Sequence, residues 1–182
     1  MALVNLGCRV NRVELDAMAA ELEAMGCVVA PQEEADAVVV NTCAVTGEAE
    51  AKARKAVRHA AGLPGVSAVV ATGCVASLFA DELDALGGNV HVEVLKDRVP
   101  GVVAAALADA GMAPEPAAER SDAGGSVTPT GRMRPGIKVQ DGCDNRCTYC
   151  IVWKARGPAR SLPLEDAVSA VRRAVAAGAG EV

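Results

Sequence analysis

Three short apolar runs in this chain each end in a turn that carries a cysteine. They are Ala2–Leu6 before Gly7-Cys8, Ala37–Val40 before Asn41-Thr42-Cys43, and Ala68–Ala71 before Thr72-Gly73-Cys74. Runs this short and nearly continuous in apolar residues predict strands buried on both faces, the habit of parallel sheets. Segments of helical spacing separate them. Val13, Leu15, Met18, Leu22 and Met25 recur along a helix expected to start with Asn11 as its cap and to stop at Gly26. Thr46 is placed to cap a helix over about 48–60, and further helices are expected over 77–86 and 99–110. Val28–Ala30 and the alternating Val90, Val92 and Val94 are additional strand candidates. Strands alternating with helices join as right-handed βαβ units, so the expected class is α/β with a parallel, Rossmann-like sheet over residues 1–110.

Residues 111–134, rich in Ala, Pro, Gly and Ser, read as a linker. A new pattern then begins over 135–182. Strand Gly136–Gln140 leads into a cysteine-bearing loop, a helix follows over Leu164–Ala177, and Glu181-Val182 opens another strand. The second segment therefore reads as the first βα unit of a further α/β domain, incomplete at residue 182.

Composition narrows the setting. At 51% hydrophobic residues the chain can bury a core and is not wholly disordered. No apolar stretch approaches the ~18 residues of a membrane span, and no basic segment followed by an apolar one marks a secretory signal. The seven cysteines are an odd number, which argues against a disulfide framework and for a reducing, cytoplasmic compartment. The net charge of −5 is uneven: from Arg132 to Arg160 seven basic side chains face only Asp141 and Asp144, a local balance of +5. Such a segment suits a phosphate-bearing partner, and Arg156 and Arg160 are candidate contacts to RNA phosphate, to a cofactor, or to acidic neighbours. The basic run Lys52, Arg54, Lys55 and Arg58 occupies more than one helical face and reads as solvated surface.

Cys143, Cys147 and Cys150 form a C-x3-C-x2-C loop. Three thiolates cannot close a tetrahedral zinc site alone, but they can hold three irons of a [4Fe–4S] cube and leave the fourth iron open. Zinc with a borrowed fourth ligand stays an alternative. Cys8, Cys43 and Cys74 lie far apart in sequence, yet each follows a predicted strand. In a parallel sheet those ends share one edge, so the three thiolates can converge there. The glycines before Cys8 and Cys74 are expected to admit a bulky group close to the backbone. Cys27 follows a helix end and reads as a core or free thiol. His59 and His91 have no ligand spacing and read as structural.

The segment from Gln140 through Cys143, Cys147, Tyr149 and Cys150 resembles the cluster loop of the radical S-adenosylmethionine enzymes. That resemblance implies a [4Fe–4S] cluster on these cysteines, with Tyr149 against the adenine side of S-adenosylmethionine and a 5′-deoxyadenosyl radical as its product. It also implies that Glu181 helps hold the cofactor's amino group. Asn5-Leu6-Gly7-Cys8-Arg9-Val10-Asn11, Asn41-Thr42-Cys43-Ala44-Val45-Thr46 and Thr72-Gly73-Cys74 resemble the amino-terminal domain of the methylthiotransferases. That second likeness implies an auxiliary [4Fe–4S] cluster on Cys8, Cys43 and Cys74, whose open iron carries the sulfur to be methylated and inserted. Residues outside the cluster ligands carry no catalytic assignment.

The family's branches modify isopentenyladenosine in tRNA, threonylcarbamoyladenosine in tRNA, or an aspartate of a ribosomal protein. Cys43-Ala44-Val45-Thr46 with Glu50 and Lys52, and Arg156-Gly157-Pro158-Ala159-Arg160-Ser161, look most like the threonylcarbamoyladenosine branch, whereas Trp153-Lys154 departs from the proline–aromatic pair expected there. The resemblance implies tRNA as substrate, a flavodoxin-like or equivalent electron donor, and no membrane partner. A non-catalytic iron–sulfur module and a zinc-binding RNA-interaction protein are the alternatives of other classes. A full barrel and a small RNA-binding domain are also implied; the 182 residues are therefore expected to be a fragment that cannot complete turnover by itself.

Overall fold

In a computed structural model, which describes residues 1–114 and 134–182, the first segment folds around a four-stranded parallel sheet. Its strands are β1 (Ala2–Asn5), β2 (Ala37–Thr42), β3 (Ala68–Gly73) and β4 (Val90–Val92), hydrogen-bonded in that order. Every residue of β2 and β3 is buried, as the apolar runs Ala37–Val40 and Ala68–Ala71 predict, and the burial extends to the polar Asn41, Thr42 and Thr72 at their ends. The register pairs Asn5 with Asn41 and Thr42 with Gly73, so the first three strands end side by side.

The helices divide between the two faces. On one face α1 (Arg9–Ala24) and α5 (Val99–Asp109) bring Leu15, Met18, Leu22, Val99 and Val103 against Ala37, Val39, Ala68 and Val70. On the other, α2 (Gly47–Ala61), α3 (Cys74–Leu78) and α4 (Ala80–Asp84) bring Ala53, Val57, Val75 and Leu83 against Val38, Val40, Val69 and Ala71. Alternate strand residues thus serve opposite cores, and the chain is doubly wound.

Val28–Ala30 accounts for the change of face. It is not a β-strand, but it runs along the outer side of β1 at a single residue: the Met1 amino group donates to the Val28 carbonyl and the Ala30 amide donates to the Met1 carbonyl, both at 2.8 Å. The pairing stops there, and Val28 and Val29 stay exposed. The chain therefore passes outward from β1 through α1 and then back across to β2. That reversal makes the carboxyl ends of β1 and β2 a topological switch point, the place where doubly wound sheets open a crevice.

Other expectations need adjustment. Asn11 does not cap α1; the helix starts at Arg9 with Cys8 at the cap position, and Asn11 lies buried in the first turn. Thr46 does cap α2, its hydroxyl accepting from the Ala49 amide at 3.1 Å. The helix expected over 77–86 begins earlier and breaks in two at Phe79, whose φ of −139° is not helical. Its early start follows from Thr42, whose hydroxyl accepts from the Val75 and Ala76 amides and satisfies donors of the first turn.

In the second segment the strand expected over 136–140 shortens to β5 (Gln140–Asp141), and its partner is the antiparallel β6 (Arg160–Ser161). Pairing begins only where Ser161 and Leu162 stand opposite, the Leu162 amide donating to the Val139 carbonyl. Between them lie the cysteine loop and α6 (Val152–Arg156); α7 (Leu164–Ala176) follows, and Glu181-Val182 forms no strand. Most of the expected linker over 111–134 lies outside the described residues.

Candidate iron–sulfur sites and the network between them

Because β1, β2 and β3 end side by side, Cys8, Cys43 and Cys74 all leave the same edge of the sheet. Cys43 and Cys74 directly follow the paired Thr42 and Gly73 and are buried, whereas Cys8 is exposed and donates from Sγ to Asn11 Oδ1 at 3.2 Å. Burial pushes the Cys74 thiol up, the neighbouring Cys43 adds to this, and the positive charge and hydrogen bond of Arg156 oppose it. Cys27 sits apart, buried among Met1, Leu15 and Leu22 on the α1 face. Gly7 and Gly73 have a nearer reason than cofactor access. A Cβ at Gly7 would overlap the Asn11 side chain, and one at Gly73, whose φ is +93°, would run into the Thr42 carbonyl.

Cys143, Cys147 and Cys150 are half-buried on the loop between β5 and α6. The base of that loop is pinned. The Cys143 amide donates to the Gly157 carbonyl at 3.1 Å, and Asp144 Oδ1 accepts from the Ala159 amide at 3.0 Å. Gly142, at φ +73°, lets the strand press on the Gly157-Pro158 backbone, where a Cβ would collide with the Pro158 carbonyl. A 260 Å³ hollow opens beside Cys147 and Cys150, walled by Tyr149, Trp153 and Lys154. Tyr149 is 90% exposed beside it.

Helix α6 carries this loop onto the first domain. It packs on α3, the helix that Cys74 begins, with Ala155 buried among Val75 and Ala76. The next residue, Arg156, is only 10% exposed and binds two carboxylates at once. Its Nη1 donates to Glu14 Oε1 at 2.7 Å and to Asp141 Oδ1 at 2.8 Å, while Nη2 donates to Glu14 Oε2 at 3.2 Å and to Asn11 Oδ1 at 3.4 Å. Lys138 Nζ bridges the same two acids, at 2.9 Å to Glu14 and 3.2 Å to Asp141. Asn11 continues inward, its amide donating to Asn41 Oδ1 and to the Thr42 carbonyl.

These charges set one another. Burial alone would raise the Glu14 carboxyl, but hydrogen bonds from Arg156 and Lys138 outweigh it and hold the group below the usual carboxylate range. Against a similar burial effect, Arg156 and Lys138 bring Asp141 down to about 2. The two acids in turn keep Arg156 charged despite its burial. Lys96, half-buried nearby, is held below the ordinary lysine range chiefly by desolvation.

Arg156 thus faces inward to acidic partners and offers no free face to RNA phosphate. Arg160 is exposed, 3.6 Å from Asp141, and Glu181 forms an exposed pair with Arg134 at 3.0 Å. Glu14 is the site residue that sequence reasoning missed. Its signal was present: Asn11, Glu14 and Met18 lie three and four residues apart on the inward face of α1, where a carboxylate is out of place unless it has a partner.

Among the described residues, no three His, Cys, Asp or Glu side chains are grouped closely enough to share one metal ion. All seven cysteines are free thiols. Each candidate triad offers one thiolate apiece to three irons, a donor set that fits a cube rather than an ion gripped by all three. When bound, such cubes and S-adenosylmethionine supply one-electron and radical chemistry that no side chain here provides.

A doubly wound domain with cysteines at its switch-point edge, followed by a C-x3-C-x2-C loop, defines a class of protein that comparison with known sequences makes specific. The uncharacterized protein family UPF0004 matches residues 1–94, and the Radical SAM superfamily matches residues 137–182. The threonylcarbamoyladenosine tRNA methylthiotransferase MtaB of Thermotoga maritima is 36% identical over 87% of this chain and 37% of its own length. The MtaB of Aquifex aeolicus is 32% identical over 100% of this chain and 46% of its own length. The ribosomal protein uS12 methylthiotransferase RimO of Desulforudis audaxviator is 31% identical over 100% of this chain and 42% of its own length. The chain belongs to the UPF0004 family, within the methylthiotransferases of the radical S-adenosylmethionine superfamily. It spans less than half the length of these relatives.

Proposed function

We propose that this chain forms the cluster-bearing amino-terminal part of a tRNA methylthiotransferase that inserts a methylthio group at C2 of threonylcarbamoyladenosine. The observation that carries this reading is the docking of α6 on α3, which brings the loop of Cys143, Cys147 and Cys150 to the sheet edge of Cys8, Cys43 and Cys74. Sulfur insertion at an adenine carbon needs a radical to remove hydrogen and a sulfur held close by. Two triads on segments that dock through α3 and α6 suit that need, with one cluster each.

In this reading Cys143, Cys147 and Cys150 hold the cluster that binds S-adenosylmethionine. Tyr149, exposed beside the hollow, is free to lie against the adenine. Glu181 reaches the cofactor's amino group after giving up its exposed pair with Arg134, which such pairs do at little cost. Arg160, Lys154 and Arg146 stand on the basic segment that meets tRNA phosphate, and a flavodoxin-like donor supplies the electron. Residues 1–110 and 135–182 act as separate units joined by 111–134. The tRNA branch is favoured over the ribosomal one by the segments Cys43–Thr46 and Arg156–Ser161.

The test joins this chain in one polypeptide to the carboxy-terminal remainder of a relative from each branch, reconstitutes iron and sulfide anaerobically, and adds S-adenosylmethionine and reductant. Mass spectrometry of tRNA nucleosides and of ribosomal protein uS12 then reads the product. Methylthio-threonylcarbamoyladenosine is expected. A product confined to uS12 assigns the chain to the other branch, and loss of cluster binding altogether overturns the reading.

A further inference from the structure

The buried ion network is not part of either cysteine triad, yet it touches the elements that carry both. Arg156 closes the α6 that follows Cys150, and Asp141 stands two residues before Cys143. Glu14 and Asn11 belong to α1, which begins directly after Cys8, and Asn11 accepts from the Cys8 thiol. The same Asn11 Oδ1 accepts from Arg156 Nη2 at 3.4 Å, so the guanidinium and the Cys8 thiol share one acceptor. A hydrophobic contact between α6 and α3 would hold the segments together with little control over angle. A guanidinium that meets two carboxylates and an amide at fixed directions controls angle as well as distance.

We propose that Arg156 is a positioning residue: by clamping Glu14 of the first domain to Asp141 of the second, it sets the separation and orientation of the two cysteine triads, and with its charge, shared through Asn11 with Cys8, it tunes the cluster of the first triad. The proposal rests on the two-cluster reading above and specifies how the clusters are aligned. Lys138 supports the same acids but is more exposed, and an ammonium lacks the planar fork. Charge near a cluster is an established lever on reduction potential, so removal of this cation stabilises the oxidised cluster.

The experiment compares the full chain with Arg156→Gln, Arg156→Lys and the double variant Glu14→Gln/Arg156→Met. The double variant removes both buried charges together and so keeps a folded comparison if the single glutamine change does not fold. In metal-free protein, hydrogen exchange at the amides of Cys143 and Ala159 is expected to quicken at least about tenfold in the glutamine and double variants. In reconstituted, reduced protein, the magnetic coupling between clusters seen by electron paramagnetic resonance should change in all three variants. The potential of the amino-terminal cluster, read with Cys143, Cys147 and Cys150 changed to Ala, should move negative without the cation. Arg156→Lys should restore that potential while leaving the coupling altered, because it keeps the charge and loses the fork. Unchanged coupling with unchanged exchange would overturn the proposal. A failure of the unaltered chain to take up iron overturns the cluster reading instead, and the metal-free exchange still decides the docking role.

Discussion

Glu14 shows how one residue can be costly and necessary together. Its carboxylate, 3% exposed, survives because two cations satisfy it, and removing it leaves Arg156 with Asp141 as its remaining carboxylate. Glu14→Gln should cost about 3 kcal/mol in urea unfolding at neutral pH, the low end for a buried pair because one acid remains. The pH dependence has a definite sign. The folded group titrates below its ordinary 4.5, so its stabilisation is complete above that value and fades as pH falls through the folded pKa. As pH falls below 4.5 the parent chain should therefore lose more stability than Glu14→Gln. Cys27 gives the contrasting case. It is buried away from the sheet edge, so Cys27→Ser should cost about 1–2 kcal/mol and leave reconstituted iron unchanged. Iron loss on that change would mean that the first triad is wrongly assigned.

Among the elements, α3 depends on a side chain from its neighbouring strand. Thr42 donates to the Thr72 carbonyl at 2.6 Å and accepts from the first amides of α3, and all of these groups are buried. Thr42→Val keeps the shape and removes the hydroxyl, leaving those partners without water or protein to replace it. A loss of about 1–3 kcal/mol is expected in denaturant titration. Because Cys74 is the first residue of α3, the same variant should also weaken iron retention at the first triad more than at the second. Equal iron loss at both would show that α3 does not position Cys74.

At the scale of the whole chain, the two triads belong to different segments that meet through α3, α6 and the ion network. Full reconstitution should give about eight irons per chain, four to a cube. Cys143→Ala with Cys147→Ala should leave about four, since Cys8, Cys43 and Cys74 stand on their own sheet edge. Loss of all iron, or zinc as the stable metal, would refute two independent cubes.

Local chemistry made much of this legible from sequence. Apolar runs of strand length marked β1, β2 and β3, Thr46 marked the start of α2, and the cysteines after each strand marked one edge, because a parallel sheet collects its carboxyl ends there. What the sequence could not show depends on distant partners. Asn11 reads as a cap until Asn41 and Thr42 come within reach of its amide, some thirty residues further along the chain. Val28–Ala30 reads as a strand until β1 proves to leave only Met1 for it to pair with. Arg156 reads as a cation for RNA phosphate, cofactor or acidic neighbours, and only the fold names Glu14, 142 residues away, as the acid it meets. Hydrophobic pattern and capping act over one or two turns and are written in the order of residues. A buried charge is tolerated only through partners that tertiary structure supplies, and that pairing was decided by the fold alone.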